Sequence, residues 1–208
     1  MSRQEPKKLK GMRFVFPVER LAVLPVEHLI SEHRLIEQMV SLLQKETERI
    51  VATGKVEPTF IAASVDFFRI YADKYHYGKE EGILFKELSN KKLSDADHNM
   101  MLELTYEHAL SRRTVNSLES LREKYVAGLT ETQKDMLELL NALVKLLPNH
   151  MQKEDTQFFF SSMKYFTQKE QDGMLDEFIE FDKNFTNKSY EKIVVALREA
   201  LDNKTPLR

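Results

Sequence analysis

The chain has 208 residues, enough to bury a sizeable core, and a formal net charge of −2, which argues against nucleic acid because that partner favours a basic surface. It has no cysteine, so disulfides, thiolate metal sites and cysteine nucleophiles are excluded. No segment reaches the roughly 20 apolar residues of a membrane span and no secretory signal is visible, so we expect a soluble cytoplasmic protein without a membrane partner.

Proline and glycine positions predict an irregular start followed by long helices. Residues 1–25 are interrupted by prolines and are predicted to be irregular, with a short turn at Val18–Leu21 at most. The first long helix is predicted at about 26–52, where Gly54 stops it. The second is predicted at about 58–88 and begins with proline, a residue favoured at the first helical position.

Capping patterns set the limits of the next two predicted helices. The third runs from a cap at Ser94 to about Val126. The fourth follows a capping pattern formed by Thr130 and Gln133. Pro148 lies inside this fourth helix and is expected to kink it or to remove one backbone hydrogen bond.

Four long helices with short connections favour an all-α, up-down-up-down four-helix bundle. One or two further C-terminal helices are predicted, at about 168–184 and 189–201. We therefore divide the chain into an irregular N-terminal segment at 1–25, a bundle at 26–165 and a helical extension at 166–208.

One short motif occurs twice, in the second and fourth predicted helices. The strings HYGKEEGILF at 76–85 and HMQKEDTQFF at 150–159 each begin with a histidine and carry a glutamate four residues later. A Glu-His pair precedes each string, with its histidine 43 or 42 residues upstream. The duplicated set, the six core donors, comprises His33, His76, Glu80, His108, His150 and Glu154.

The six core donors all fall on apolar helix stripes and are expected to face the core. Buried carboxylates are costly unless they are paired, hydrogen-bonded or bound to metal. The His-x-x-x-Glu spacing stacks both side chains on one helix face, about one turn apart. Four imidazoles and two carboxylates form a ligand set for two metal ions, and a position left open on such ions marks a working site rather than a structural one.

The repetition of the motif decides between a metal site and ordinary packing. A single His-x-x-x-Glu on a helix is usually a solvated pair, and the alternative interpretation is two surface pairs with two core histidines. That alternative does not explain the matched spacings. Imidazole and carboxylate ligands without sulfur favour two iron ions, with manganese or zinc as alternatives. Two adjacent redox-capable ions indicate chemistry with oxygen, nitric oxide or peroxide.

Four strings, EHRLIE at 32–37, HYGKEEGILF at 76–85, EHALSRR at 107–113 and HMQKEDTQFF at 150–159, resemble the hemerythrin-like family, also called the HHE cation-binding domain. The resemblance covers about residues 26–165. It implies a four-helix bundle around a non-haem di-iron centre whose two carboxylates span the metals. By motif, the implied ligands are His33, His76, Glu80, His108, His150 and Glu154.

Two positions depart from the oxygen-carrying members of that family. Those members have a further histidine where this chain has Arg112, and they use an aspartate at the offset of Asp155 as a bridge. The alignment of the two repeats here favours Glu154 instead. The set of six ligands argues against simple oxygen carriage, and it resembles di-iron proteins of nitrosative stress and iron–sulfur repair or sensing members. Ferritin-like bundles use the reverse order, Glu-x-x-His.

Charged neighbours of the six core donors have open roles. Glu32 and Glu107 each precede a ligand histidine, so they are expected to point away from it as solvated charges. Glu81, Asp155 and Arg112 are expected either to orient ligands from outside the metal or to be surface charges, and the sequence favours neither role.

Three functions fit these patterns. The first is a di-iron protein that binds or reacts with oxygen, nitric oxide or peroxide, in stress response or iron–sulfur repair. The alternative is a regulatory module whose metal site senses oxygen or iron and controls partner binding. A metal-free helical interaction domain is the third. The sequence leaves enzymatic activity and oligomeric state undecided.

Overall fold

The computed structural model describes residues 24–185 and 190–203, and within these ranges the chain is helical with no strand. The predicted all-α class is thereby confirmed. The turn predicted at Val18–Leu21 and nearly all of the segment predicted to be irregular lie outside the described residues. No helix in the described ranges is long and apolar enough to cross a membrane.

Six helices, joined mostly by short turns, form this part of the chain. Their bounds are α1 Pro25–Thr53, α2 58–89, α3 Asp95–Val126, α4 133–162, α5 Gln168–Asn184 and α6 Tyr190–Asp202. Among them, α3 packs against α2 and α4, and α1 packs against α4 and α6. The first four helices form the predicted bundle, because short connections between long helices force neighbours to run antiparallel. Two C-terminal helices follow it.

Capping explains where two of the helices start, whereas the cap predicted for a third helix is wrong. The Ser94 hydroxyl accepts a hydrogen bond from a backbone N–H of the first turn of α3, as predicted. At the start of α5, Thr167 and Glu170 form a reciprocal capping box. The capping pattern predicted at Thr130 is wrong, because the chain first makes a 3₁₀ turn at Thr130–Thr132 and α4 begins after it. Pro148 lies inside α4 without ending it.

Wide π-helical turns interrupt α2 and α4, which the sequence did not predict. In α2 they span Phe68–Tyr77 and Glu80–Phe85, and in α4 they span Glu154–Phe158. Such turns are rare and occur frequently at functional sites. Each repeated motif therefore sits where its helix changes from one winding to the other.

The core consists of two apolar clusters with a polar layer between them. One cluster includes Val65, Leu118 and Leu143 and is covered by α6. The other includes Leu29 and Phe158, together with buried side chains of α5. Along each bundle helix the core donors lie close to the point where residues of one cluster give way to those of the other. The polar layer is thus enclosed on both sides by hydrocarbon.

Candidate metal centre

The six predicted core donors meet in the polar layer at the middle of the bundle. α1 and α3 each provide one histidine, and α2 and α4 each provide a histidine and a glutamate. None of the six is more than 1% exposed, and together they are His33, His76, Glu80, His108, His150 and Glu154. Buried carboxylates at this depth need a charged or hydrogen-bonding partner.

The histidines form two pairs with their ring nitrogens directed at each other. In the first pair, His33 Nε2 lies 2.9 Å from His76 Nε2. In the second pair, His108 Nε2 lies 3.0 Å from His150 Nε2. Each pair comes from two consecutive helices, and each belongs to a separate group of residues that could hold a metal ion.

Each glutamate spans the two histidine pairs. Glu80 Oε1 lies 3.2 Å from His76 Nε2, and its Oε2 lies 3.2 Å from His108 Nε2. Glu154 Oε1 lies 3.2 Å from His150 Nε2, and its Oε2 lies 3.4 Å from His33 Nε2. Two groups of potential ligands result, each with all its donor atoms within 4.8 Å of one another, and both glutamates belong to both groups.

Four further carboxylates, which we call the outer carboxylates, hold the histidine rings from behind. The Nδ1 atom of each histidine donates to one carboxylate oxygen over 2.7 to 3.0 Å. The pairs are His33 with Asp155, His76 with Glu32, His108 with Glu81 and His150 with Glu107. A metal-binding histidine almost always has such a partner, which fixes its tautomer and ring orientation.

Cations contact all four outer carboxylates, and for Asp155 the partner is Arg34, whose Nη2 lies 3.9 Å from Asp155 Oδ2. Lys79 contacts Glu32, and Lys153 contacts Glu107 at the matching position of the second repeat. Arg112 donates to Glu81 and to Asp73. The charges around the centre are therefore arranged in concentric layers.

The atoms in the middle of this arrangement fit a bound cation. A neutral histidine that donates from Nδ1 carries only a lone pair on Nε2. Two such lone pairs facing each other at 2.9 or 3.0 Å repel unless a proton or a metal ion lies with them. None of the carboxylate oxygens of Glu80 and Glu154 accepts a hydrogen bond, although all four are buried. Buried groups of this kind require an explanation, and a metal ion supplies one for all of them.

Neighbouring charges shift the pKa values of several core donors. Burial lowers the pKa of His33, but the hydrogen bond to Asp155 and the nearby Glu154 carboxylate outweigh it and raise the pKa to about 10. Burial and the neighbouring Glu154 charge raise the pKa of Glu80, but His76 and His108 outweigh both and lower it to about 2. Histidines likewise hold the pKa of Glu154 well below its ordinary value against the effect of burial. The site therefore favours charged carboxylates facing positive charge.

The outer carboxylates include two residues that the sequence analysis assigned wrongly. Glu32 and Glu107 point away from the histidines next to them, as expected, but they are not solvated charges, because each accepts from a histidine of the neighbouring helix. The sequence did carry a signal for this role, because Glu32 and Glu107 occupy equivalent positions in the two repeats. Glu81 and Asp155 do not stand free at the surface, because each accepts a hydrogen bond from a core histidine.

Aromatic rings fill the space beside two of the histidines. Tyr77 stacks on His108 with ring centroids 3.8 Å apart, and Phe85 stacks on the same histidine ring at 6.0 Å. Phe159, at the same place in the second repeat as Phe85, stacks on His33 at 5.8 Å. These contacts restrict the rotation of both rings and keep water away from the centre.

The family model of the hemerythrin HHE cation binding domain matches residues 24–161, which is more than half of the chain. The chain belongs to this hemerythrin HHE family. The buried histidine and glutamate groups fit the cation binding from which the family takes its name. Comparison with curated proteins and with solved structures gives no significant match.

Proposed function

We propose that this protein holds a non-haem di-iron centre at the six core donors and that the centre binds or reacts with a small molecule, either oxygen, nitric oxide or peroxide. The observation that carries the proposal is the sharing of Glu80 and Glu154 between two histidine pairs. Each of the two ions would be held by the two imidazoles of one histidine pair together with both glutamates.

The donor types support iron as the metal. Imidazole and carboxylate ligands without thiolate suit iron, manganese and zinc, and the match to the hemerythrin HHE cation binding domain favours iron among them. When bound, such a pair supplies electrons and an open position for a small ligand. Non-haem iron held by imidazoles and carboxylates commonly keeps open positions, so two imidazoles and two glutamates would leave room for that ligand on an iron ion, which favours reaction over structural support.

The residues around the centre prepare it for a small neutral ligand. The outer carboxylates keep the proton of each histidine on Nδ1, so that Nε2 is free to bind metal. Phe85 and Phe159 exclude bulk water. Arg112 stands where oxygen carriers of the family have another ligand, and it is occupied instead with Glu81 and Asp73. This substitution supports reactivity with a small molecule rather than simple oxygen transport.

The first test is metal content and absorption of protein made in iron-supplemented cells. We expect about two iron ions per chain and ligand-to-metal absorption in the near ultraviolet. The double variant with His76→Ala and His150→Ala should lose both, because it removes one imidazole from each pair. A His98→Ala variant is the control, since His98 is exposed and outside the polar layer.

Three outcomes separate the candidate functions. Spectral change or turnover on adding oxygen, nitric oxide or peroxide supports the reactive centre. Tight iron binding that strongly stabilises the fold, with no response to those molecules, supports a sensing module instead. Wild-type protein without iron and as stable as the double variant contradicts the metal centre and leaves a helical interaction domain.

A further inference from the structure

The two halves of the polar layer differ in the burial of their lysines. Lys79 and Lys153 occupy the same place in the two repeats, three residues after a core histidine. The Lys79 side chain is completely buried, whereas that of Lys153 is 19% exposed. A buried ammonium is costly unless anions surround it. The groups around Lys79 therefore show how its buried charge is compensated.

A residue of α5, outside the bundle, supplies the second anion that Lys79 needs. Lys79 Nζ lies 2.9 Å from Asp182 Oδ1, contacts Glu32 Oε1, and lies 3.6 Å from the centre of the Tyr75 ring. The other oxygen of Glu32 accepts from His76 Nδ1 over 3.0 Å. An unbroken line of charged contacts thus leads from α5 to a core histidine.

The same place is not a third metal site. Donor atoms of His28, Glu32 and Asp182 lie within 4.8 Å of one another. The Lys79 ammonium contacts both carboxylates of this group, and His28 Nε2 lies 2.8 Å from the second oxygen of Asp182. The cation of this group is therefore a side chain of the protein itself.

Packing brings α5 close enough for this contact. Met174 and Phe178 of α5 are buried in the apolar cluster below the polar layer. Gly78, next to Lys79, lets Phe181 approach so closely that an added methyl group would lie 3.0 Å from the ring. The second repeat has Gln152 at the equivalent place. There Lys153 pairs with Glu107 and with Glu103, a residue that is 54% exposed.

We infer that Asp182 is a positioning residue for the metal centre: through Lys79 and Glu32 it fixes His76, and it thereby makes the ion at His33 and His76 different from the ion at His108 and His150. The inference rests on the proposed metal centre. With Asp182 in place, the Lys79 charge is divided between two carboxylates, which leaves Glu32 free to accept strongly from His76. Without it, Lys79 draws Glu32 away from the ring.

The test uses the full chain with four sequences: wild type, Asp182→Asn, Asp182→Glu and Asp176→Asn. Asp176 is an exposed carboxylate on the same helix, so its variant makes the same change in charge without touching Lys79. Protein loaded with ferrous iron is mixed with excess chelator and the release of iron is followed in time. Metal-free protein carrying ¹⁵N-labelled histidine is examined by NMR for the His76 Nδ1–H resonance, and its unfolding is measured as a check on α5.

We expect release in two phases, with the ion at His33 and His76 leaving last because its outer carboxylates are the more buried. Asp182→Asn should accelerate that slow phase about tenfold, at the lower end of the 10- to 100-fold losses seen for such contacts. It should also shift the His76 Nδ1–H resonance. Asp176→Asn should change neither quantity, and Asp182→Glu should stay close to wild type because the negative charge is kept.

The two proposals fail in different ways. If iron binds but Asp182→Asn leaves both the release and the His76 resonance unchanged, the role of Asp182 is contradicted while the metal centre stands. If the wild type binds no iron but the resonance shifts only in Asp182→Asn, the metal centre fails while the positioning of His76 by Asp182 stands. Loss of the slow phase in Asp176→Asn as well would overturn the inference, because any lost charge on α5 would then suffice.

Discussion

At the scale of single residues, the outer carboxylates decide how the histidines behave. A carboxylate on Nδ1 orients the ring and strengthens Nε2 as a donor. Glu107 illustrates this most simply, because it accepts from His150 over 2.9 Å and contacts Lys153. Glu103 contacts the same lysine but no histidine. These two residues therefore form a matched pair for testing the effect.

Glu107→Gln is expected to weaken metal binding about 10- to 100-fold, because the neutral amide accepts more weakly from His150. Glu103→Gln should leave the affinity close to wild type, although it removes the same charge from the same lysine. Titration of metal-free protein with ferrous iron measures both. Equal affinities in the two variants would contradict the role given to Glu107.

The raised pKa of His33 makes the stability of the metal-free protein depend on pH. Its folded pKa of about 10 lies above the ordinary value of 6.5, so its contribution is complete below pH 6.5 and is lost as pH rises towards 10. The stability difference between metal-free wild type and His33→Gln should shrink over that range in denaturant unfolding. A stability difference that stays constant with pH would contradict the raised pKa of His33.

At low pH the stability of the metal-free protein changes with pH in the opposite direction, because the pKa of Glu80 is lowered to about 2 from an ordinary value of 4.5. Its contribution to stability is present above pH 4.5 and is lost as pH falls towards 2.

Bound metal changes the behaviour of the histidines, since a histidine must be neutral to bind metal. Acidification should therefore release the ions before the metal-free fold is lost.

At the scale of helices, the sequence predicted most of what positions the centre. Apolar stripes, with glycine and proline at the helix ends, located the long helices to within one or two residues. They could do so because apolar residues recur along a helix at the spacing of its buried face. The wide turns around His76 and Glu154 were missed, since one extra residue in a turn barely changes an apolar stripe. The partners of Glu32 and Glu107 were missed because they lie on other helices, and only the packing of the bundle reveals them.

The closeness of α5 to α2 depends on Gly78, and Gly82 in the same helix provides a control. An added Cβ at Gly78 would meet Phe181 at 3.0 Å, whereas at Gly82 it would meet nothing within 4 Å. Gly82→Ala is expected to stabilise the fold by about 0.5–1 kcal/mol through helix propensity. Gly78→Ala should lack this gain because the Phe181 ring must move.

Thermal unfolding of the two alanine variants measures that difference. Adding Phe181→Leu to Gly78→Ala should recover part of the missing stability, because it removes the ring that the new methyl group meets. Equal stabilisation by both alanines would show that α5 does not press on Gly78.

At the scale of the whole molecule, the proposed metal centre would couple ion binding to the stability of the fold. Two buried carboxylates face each other there between two apolar clusters, and a ligand that binds only the folded state stabilises it. At free iron a thousandfold above the dissociation constant, the gain is about 4 kcal/mol for each site. Chelation should therefore lower the unfolding temperature substantially in wild type but not in the His76→Ala, His150→Ala double variant. An equal effect of chelator on both would contradict this coupling.

The sharing of Glu80 and Glu154 has a consequence for the chain as a whole. Each ligand group takes both of its imidazoles from one pair of consecutive helices, but it takes one carboxylate from each pair. Neither hairpin of two helices can complete a four-ligand site by itself. The centre is thus an interface between two similar halves, built like the contact of a twofold dimer but within one polypeptide. A chain of half this length could assemble the same set of ligands only by pairing with a second copy of itself.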